Sequence, residues 1–360
     1  MRETNNLHVV GTTPLITPTQ LKSELPISER AAETVATTRD AIRAILQRED
    51  HRLLVVVGPC SIHDVEAAHD YANRLLKARG DFDEQLLIVM RVYFEKPRTT
   101  TGWKGLINDP HLDGSHDMVT GLRLARKLLL DLAEQGLPAA TEMLDPVAPQ
   151  YLADLVSWTG IGARTSESQP HREMASGLSM PVGFKNSTDG SIAPAVNAIS
   201  AALHPHRFLG IDSEGLVSIV STTGNPDCHL VLRGGANGPN YDAESVAIAT
   251  TVLKQANLCT RVMVDCSHGN TQKDFRRQPL ALANVTTQVR MGSSCLLGVM
   301  IESNLVAGKQ PFPVARHQLV YGQSITDGCV DFLTTLSMLH ELAEAAASSR
   351  TPTRTSGLSS

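Results

Sequence analysis

Three cations and two hydroxyls follow closely on one another in Arg91, Lys96, Arg98, Thr99 and Thr100, directly after the apolar run of residues 86–90. A strand that empties into Arg, Lys and Arg, with Pro97 stiffening the loop, is built to hold anions, because these groups match phosphate and carboxylate oxygens. A single loop cation is ordinarily a solvated surface charge. Three that converge just past a buried strand call for a shared ligand.

The same position, at or just past the end of an apolar run, is filled elsewhere by Cys60, Glu142, Arg164, Lys185, Arg233, Asp265 with His268, and Glu302. Arg91, Arg164, Lys185 and Arg233 stand beside buried runs and need either carboxylates or ligand anions as partners. Ion pairing within the protein, with Glu142 or Asp265, is the alternative for any one of them. Together with Lys96, Arg98 and Thr99 they carry enough charge for two phosphates and a carboxylate. Cys60, His268, Glu302 and Asp327 offer one soft, one borderline and two hard donors, a set suited to one divalent ion, Mn²⁺, Fe²⁺, Co²⁺ or Zn²⁺. Cys228, Cys259 and Cys295 lie in apolar runs and read as core. Lys273, Arg276 and Arg277 read as a solvated charged face, and Cys60 with Cys329 as a conceivable oxidised pair.

These residues share a site only if the chain brings its run ends together. From Leu53 onward short apolar runs alternate with amphipathic segments, predicting strands at 53–57, 86–92, 137–141, 160–163, 181–184, 228–232, 261–265 and 296–301. The predicted helices between and after them cover 64–79, 117–135, 149–157, 168–176, 192–203, 243–257, 280–289 and 332–346, with Asp117 as an N-cap and Gly136 as a stop. Continuous apolar runs joined by helices are buried parallel strands. Eight such units predict an α/β fold, a closed (β/α)8 TIM barrel whose catalytic residues lie at the C-terminal strand ends. An open doubly wound sheet is the rival, weakened because no G-x-G-x-x-G follows the first strand.

Around this core the chain divides into an N-terminal arm and helix over 1–50, extended to Pro26 and helical over 28–47, and the barrel over 51–347. A β-hairpin at 207–223 is inserted before the sixth strand, and a Ser/Thr-rich tail at 348–360 is expected to be disordered. The 360 residues are 42% hydrophobic and 19% charged with a net charge of −5, which argues against a nucleic-acid or anionic-membrane surface. Six cysteines without a tight pairing pattern, no leader-like start and no apolar run near the ~20 residues that span a bilayer point to a cytoplasmic protein with reduced thiols.

Eight stretches are more specific than this. Gly58-Pro59-Cys60-Ser61-Ile62-His63-Asp64, Arg91-Val92-Tyr93-Phe94-Glu95-Lys96-Pro97-Arg98-Thr99, Gly102-Trp103-Lys104-Gly105, Gly162-Ala163-Arg164-Thr165, Pro181-Val182-Gly183-Phe184-Lys185-Asn186, Leu232-Arg233-Gly234-Gly235, Asp265-Cys266-Ser267-His268 and Gly298-Val299-Met300-Ile301-Glu302-Ser303 closely resemble the type I, microbial 3-deoxy-D-arabino-heptulosonate 7-phosphate (DAHP) synthases. The resemblance spans essentially the whole chain except the tail. It implies an enzyme that joins phosphoenolpyruvate to erythrose 4-phosphate with release of phosphate, the first step of the shikimate pathway.

Carried onto this sequence, the resemblance assigns Arg91, Lys96, Arg164, Lys185 and Arg233 to phosphoenolpyruvate, with Glu142 in the same site. It assigns Lys96, Arg98 and Thr99 to the aldose phosphate. Cys60, His268, Glu302 and Asp327 fall to the divalent metal, and Lys96, His268 and Cys60 are the catalytic candidates, Lys96 as proton donor to the new alkoxide. It further implies feedback by an aromatic amino acid at a site built by the arm and the hairpin and lined by Gln150, Leu178, Ser179, Phe208, Gly210 and Val220. Gly210, where a phenylalanine-sensitive relative would carry a hydroxyl residue, favours tyrosine, with tryptophan next. A homodimer or homotetramer with the arm crossing to a neighbour is the implied assembly. Two alternatives stand beside this reading: the related synthase that uses arabinose 5-phosphate, and a catalytically dead barrel that senses aromatic amino acids. The Lys96-Pro97-Arg98-Thr99 loop and the long arm disfavour the first, and the full set of ligands disfavours the second.

Overall fold

Apolar runs that cannot be left in water are gathered here into one ring. The computed structural model describes residues 2–98 and 100–349. Its strands are β1 (Leu53–Gly58), β2 (Leu86–Arg91), β3 (Ala139–Glu142), β4 (Trp158–Ile161), β5 (Val182–Lys185), β6 (Arg207–Ile211), β7 (Val217–Ser221), β8 (Cys228–Leu232), β9 (Val262–Asp265) and β10 (Leu296–Glu302). Eight of them close a barrel in the order β1-β10-β9-β8-β5-β4-β3-β2, while β6 and β7 form a separate two-stranded sheet. Every barrel pairing is parallel, and β1 pairs with both β2 and β10, which excludes an open sheet.

The helices are α1 (Pro18–Glu24), α2 (Glu29–Gln47), α3 (Val65–Arg79), α4 (Met118–Glu134), α5 (Ala148–Leu152), α6 (Gln169–Gly177), α7 (Ala193–Ala202), α8 (Ala243–Gln255), α9 (Gln278–Arg290) and α10 (Phe332–Ser348). Side-chain caps start many of them where the sequence places Ser, Thr or Asp. Asp117 accepts from the Thr120 amide, and Asp64, Asp242 and Asp331 do the same for α3, α8 and α10. Gly136, at φ +79, lets the chain turn out of α4 in a conformation that side chains with a Cβ disfavour.

Three differences from the sequence expectation have physical reasons. The arm is not extended throughout: Thr17 and Gln20 make a reciprocal capping box with Pro18 at the first position, enough to start the short α1. β4 begins two residues earlier than expected, because Trp158 pairs with Ala140 and fills the barrel interior. Helix α5 is correspondingly short and ends in a 3-10 turn at Ala153–Leu155. Of the expected tail, residues 350–360 lie outside the described residues. Among the described residues no helix is long and apolar enough to cross a membrane.

The core has two parts. One lies between the barrel and its helices. The other is the barrel interior, where Leu54, Val56, Val89, Trp158, Val231 and Met300 form one cluster with Ile42, Ile45 and Leu46 of α2. Helix α2, which precedes the repeating pattern and so reads as an appendage, therefore shares the core of the barrel.

Candidate active site

Because the barrel strands all run the same way, their C-terminal ends form one rim, and the residues that they deliver there surround one volume. The rim encloses a cavity of about 350 Å³. Arg91, Lys96, Arg98, Glu142, Arg164, Lys185, Arg233, His268, Glu302 and Asp327 all line it. Cys60 is fully buried beside it, and Thr99 lies outside the described residues.

The cations divide by partner. Arg91 is fully buried and stacked 3.5 Å over the Tyr93 ring, donating from Nη2 to Glu302 Oε1 at 2.9 Å and from Nε to the Pro59 carbonyl at 3.1 Å. A buried guanidinium held in this way fixes the Glu302 carboxylate. Lys185 meets Asp265 at 2.8 Å, the internal pairing that the sequence left open for it. Burial opposes the charge of Asp265, yet Lys185 and His268 hold its carboxyl well below the usual range. Arg98 and Arg164 reach the cavity from exposed positions, and Arg233 from a half-buried one. Asn186 positions the last of these by accepting from the Arg233 amide at 2.7 Å.

At one end of the cavity Cys60, Glu302 and Asp327 bring a sulfur and two carboxylate oxygens within 4.8 Å of one another. A hydroxyl pair, Ser61 and Thr326 at 2.7 Å, ties the two loops that carry Cys60 and Asp327. His268 stands next to this trio rather than within it. Its Nδ1 is held by Ser267 Oγ at 2.6 Å and Asp265 Oδ2 at 3.0 Å, while Nε2 faces Glu302 Oε1 at 3.7 Å. Burial, reinforced by Glu302, pushes the Cys60 thiol up, and Lys96, whose Nζ lies 3.1 Å from Sγ, offsets only part of that. A divalent cation between the three donors would reverse this balance, since coordination deprotonates a thiol. The mixed soft and hard donor set therefore fits such an ion. Cys60 and Cys329 are both buried free thiols.

Some cavity residues were not legible beforehand. Lys273, which the sequence suggests is solvated, lines the rim, as do Lys309 and Phe275. Lys309 follows β10 in a segment without periodicity, so nothing in its neighbourhood marks it. Among the described residues Glu142 Oε1 is buried without a hydrogen-bond partner, and Gly162 makes room for it, since a Cβ there would lie 2.4 Å from that oxygen.

The profile of the DAHP synthetase I family matches residues 24–339. The chain belongs to the DAHP synthetase I family. It is 54% identical over 338 residues to the Tyr-sensitive phospho-2-dehydro-3-deoxyheptonate aldolase of Escherichia coli K12, covering 94% of this chain and 95% of that one. It is 53% identical over 348 residues to the Phe-sensitive enzyme of the same organism, covering 97% and 99%. The solved structure of the aldolase from Francisella tularensis SCHU S4 superposes with a TM-score of 0.93 at 50% identity, over 95% of this chain and 100% of that one. As a DAHP synthase of the feedback-regulated type, the protein is an enzyme of the transferase class.

The DAHP synthase barrel carries a second cavity of about 500 Å³ on its flank. Gln150, Leu178, Ser179, Phe208, Gly210 and Val220, scattered over 71 positions (150–220), all line it. The arm, expected to help build this site, contributes Lys22 from α1 with Val35 and Arg39 from α2, residues the sequence left unassigned because apolar spacing on α2 says only that one face is covered. A Cβ at Gly210 would lie 2.8 Å from Val220 Cγ2, so glycine there keeps the cavity open between the two hairpin strands.

Proposed function

We propose that the protein condenses phosphoenolpyruvate with D-erythrose 4-phosphate and water to give DAHP and inorganic phosphate. The observation that carries this reading is the single cavity in which Arg91, Lys96, Arg98, Arg164, Lys185 and Arg233 face one another beside the Cys60, Glu302 and Asp327 trio. Two phosphates and a carboxylate repel one another, and preorganised cations lower the cost of bringing them together.

In this reading Arg164, Lys185 and Arg233 hold phosphoenolpyruvate, with Arg91 beneath it and Glu142 at its edge. Arg98 and Thr99 hold the aldose phosphate. Carbon three of phosphoenolpyruvate forms the new bond to the aldehyde carbon, water adds at carbon two, and the phosphate leaves. Lys96 lies between the two substrates and gives the proton from Nζ to the oxygen that was the aldehyde. Burial disfavours its charge, but Cys60, Glu302 and Asp327 outweigh that and keep the ammonium protonated. Cys60, His268, Glu302 and Asp327 would hold a divalent ion, which would supply Lewis-acid polarisation of the aldehyde.

The second cavity is assigned to a feedback inhibitor, tyrosine before tryptophan, on the room left at Gly210. The arm and α2 (within 1–50) serve regulation and assembly, and the barrel (51–347) serves catalysis. A homodimer or homotetramer, with the arm reaching a second copy, accounts for the apolar residues left exposed on the hairpin, Leu209, Val217 and Ile219, and on the arm, Leu7, Val9 and Val10.

Release of phosphate from phosphoenolpyruvate is the direct test. It should require erythrose 4-phosphate, stop with EDTA and return with Mn²⁺, Fe²⁺, Co²⁺ or Zn²⁺. Turnover that arabinose 5-phosphate supports better, or that EDTA leaves untouched, would contradict the assignment.

A further inference from the structure

Behind the side chains that line the active-site cavity three asparagines meet, Asn240 bonding to each of the other two. Asn186 directly follows Lys185 of β5, Asn240 stands in the loop after β8, and Asn270 lies two residues past His268. Asn186 is fully buried, Asn270 is 1% exposed, and Asn240 is half-buried. A buried amide is costly unless its donor and acceptor ends are both satisfied.

Here both ends are. The pairing of β8 with β9 ends at Leu232 with Val264. At that end Asn270 Nδ2 donates to the Leu232 and Asp265 carbonyls at 3.2 and 2.8 Å, so one side chain ties the last residues of the two strands. Its Oδ1 accepts from the Asn240 amide at 2.8 Å, and its own backbone amide donates to the Arg233 carbonyl at 3.2 Å. Asn186 Oδ1 accepts from the Arg233 amide at 2.7 Å and from Asn240 Nδ2 at 3.2 Å, while its Nδ2 donates to the Ser187 and Gly234 carbonyls at 2.9 and 3.1 Å. Asn240 Oδ1 accepts from the Gly234 amide at 2.6 Å. Arg233 is therefore gripped at both its N–H and its carbonyl.

The three loops touch through their backbones. A Cβ at Gly235 would lie 2.1 Å from the Gly190 nitrogen, and one at Gly269 would lie 2.4 Å from the Gly235 nitrogen. His268 belongs to the same turn as Asn270. It is held at φ +56, its carbonyl accepting from Thr271 Oγ1 at 3.2 Å and from the Lys273 amide at 2.9 Å. Neutral amides suit this place. A carboxylate at 186 or 270 would face two backbone carbonyls and give Lys185 and Arg233 an internal counter-charge in place of a ligand. An apolar side chain would leave the gathered N–H and C=O groups without partners.

We propose that Asn270, through Asn240 and Asn186, is a positioning residue that sets Arg233 and His268 as one unit, so that the phosphoenolpyruvate end of the site and its metal end keep a fixed separation. The proposal rests on the substrate and metal assignments made above.

The test compares wild type, Asn186→Ala, Asn270→Ala and the double variant by steady-state kinetics and, in metal-free protein, by Mn²⁺ binding. Each single variant should raise KM for phosphoenolpyruvate about tenfold and leave KM for erythrose 4-phosphate within about twofold. Because both act through one set of bonds, the double variant should also show about tenfold and not about a hundredfold. Asn270→Ala should weaken Mn²⁺ binding about fivefold, since the turn that carries His268 loses its tie to β8. A loss of folded protein alone would lower the rate per milligram and leave both KM values and the Mn²⁺ constant in place. An unchanged KM for phosphoenolpyruvate, multiplying effects in the double variant, or an unchanged Mn²⁺ affinity in Asn270→Ala overturns the proposal.

Should the buried variants not fold, Asn240→Ala decides, because it removes the bridge from a half-buried position. It should raise the same KM about threefold and weaken Mn²⁺ binding in parallel, and a change in neither or in only one overturns the proposal. A wild type that makes no DAHP refutes the substrate assignment instead. The unit is then read by hydrogen–deuterium exchange, where residues 232–236 and 266–272 should both exchange faster in Asn240→Ala than in wild type, and acceleration in one segment alone or in neither overturns it.

Discussion

Lys96 shows how little a single residue means apart from its neighbours. In sequence it is a loop lysine. In the fold it is 8% exposed, with Nζ at 3.1 Å from Cys60 Sγ and 3.2 Å from the Cys60 carbonyl. Removing its charge would leave the Cys60 thiol without the cation at 3.1 Å and, on the proposed mechanism, the alkoxide without a donor. Lys96→Met should therefore lower kcat by roughly 10²–10⁴-fold, the range for general acid catalysis. Near-normal kcat with raised KM values alone would limit Lys96 to binding. The cations at strand ends were legible because a charge beside a buried run needs a reason. Their partners were legible only in part: Asp265, the partner of Lys185, stood among the candidate partners, but Glu302, 211 positions from Arg91, did not.

At the scale of elements, periodicity located the barrel strands and their helices, because burial on one or both faces imposes a period on the side chains. Caps set many starts. What periodicity could not place was β4, where a tryptophan at the strand start outweighs the run after it. The hairpin was legible as two short alternating runs about a Ser-Glu-Gly turn, and its strands pair antiparallel from Arg207 with Ser221 to Ile211 with Val217. Its inner face meets the second cavity through Phe208, Gly210 and Val220, so this element is where inhibitor choice is tested. Gly210→Ser should displace Val220 and narrow the cavity. Titrations of activity against tyrosine, phenylalanine and tryptophan should then show weaker inhibition by tyrosine, with uninhibited kcat and KM unchanged. Unaltered tyrosine inhibition would remove Gly210 from the site.

The whole molecule adds constraints that no one element carries. Inside the barrel Trp158 Nε1 donates to His229 Nε2 at 3.2 Å, and burial lowers that imidazole to about 4. An unfolded histidine titrates near ~6.5, so below that pH the unfolded chain takes up a proton that the barrel refuses, until about pH 4. Stability contributed by the neutral ring is complete above this window and falls through it, by about 2 kcal/mol between pH 7 and pH 5. Urea unfolding at the two pH values should show that loss in wild type and a smaller one in His229→Gln. An equal loss in both would place the acid sensitivity elsewhere. Assembly belongs to this scale too. Sedimentation of a chain lacking residues 1–17 should give a smaller species than the full chain, and an unchanged species would free the arm from that role.

By itself the sequence determined that eight apolar runs alternate with helices, which residues stand at the run ends, and that these include enough cations and donors for two phosphates, a carboxylate and a metal. Those are local properties, written in spacing and residue type. Only the tertiary structure decided which cation answers which carboxylate, that Lys273 and Lys309 join the rim, and that α2 packs into the barrel interior. Barrel closure decides them, because it brings positions hundreds of residues apart within hydrogen-bonding distance, and nothing in local spacing encodes such a distance.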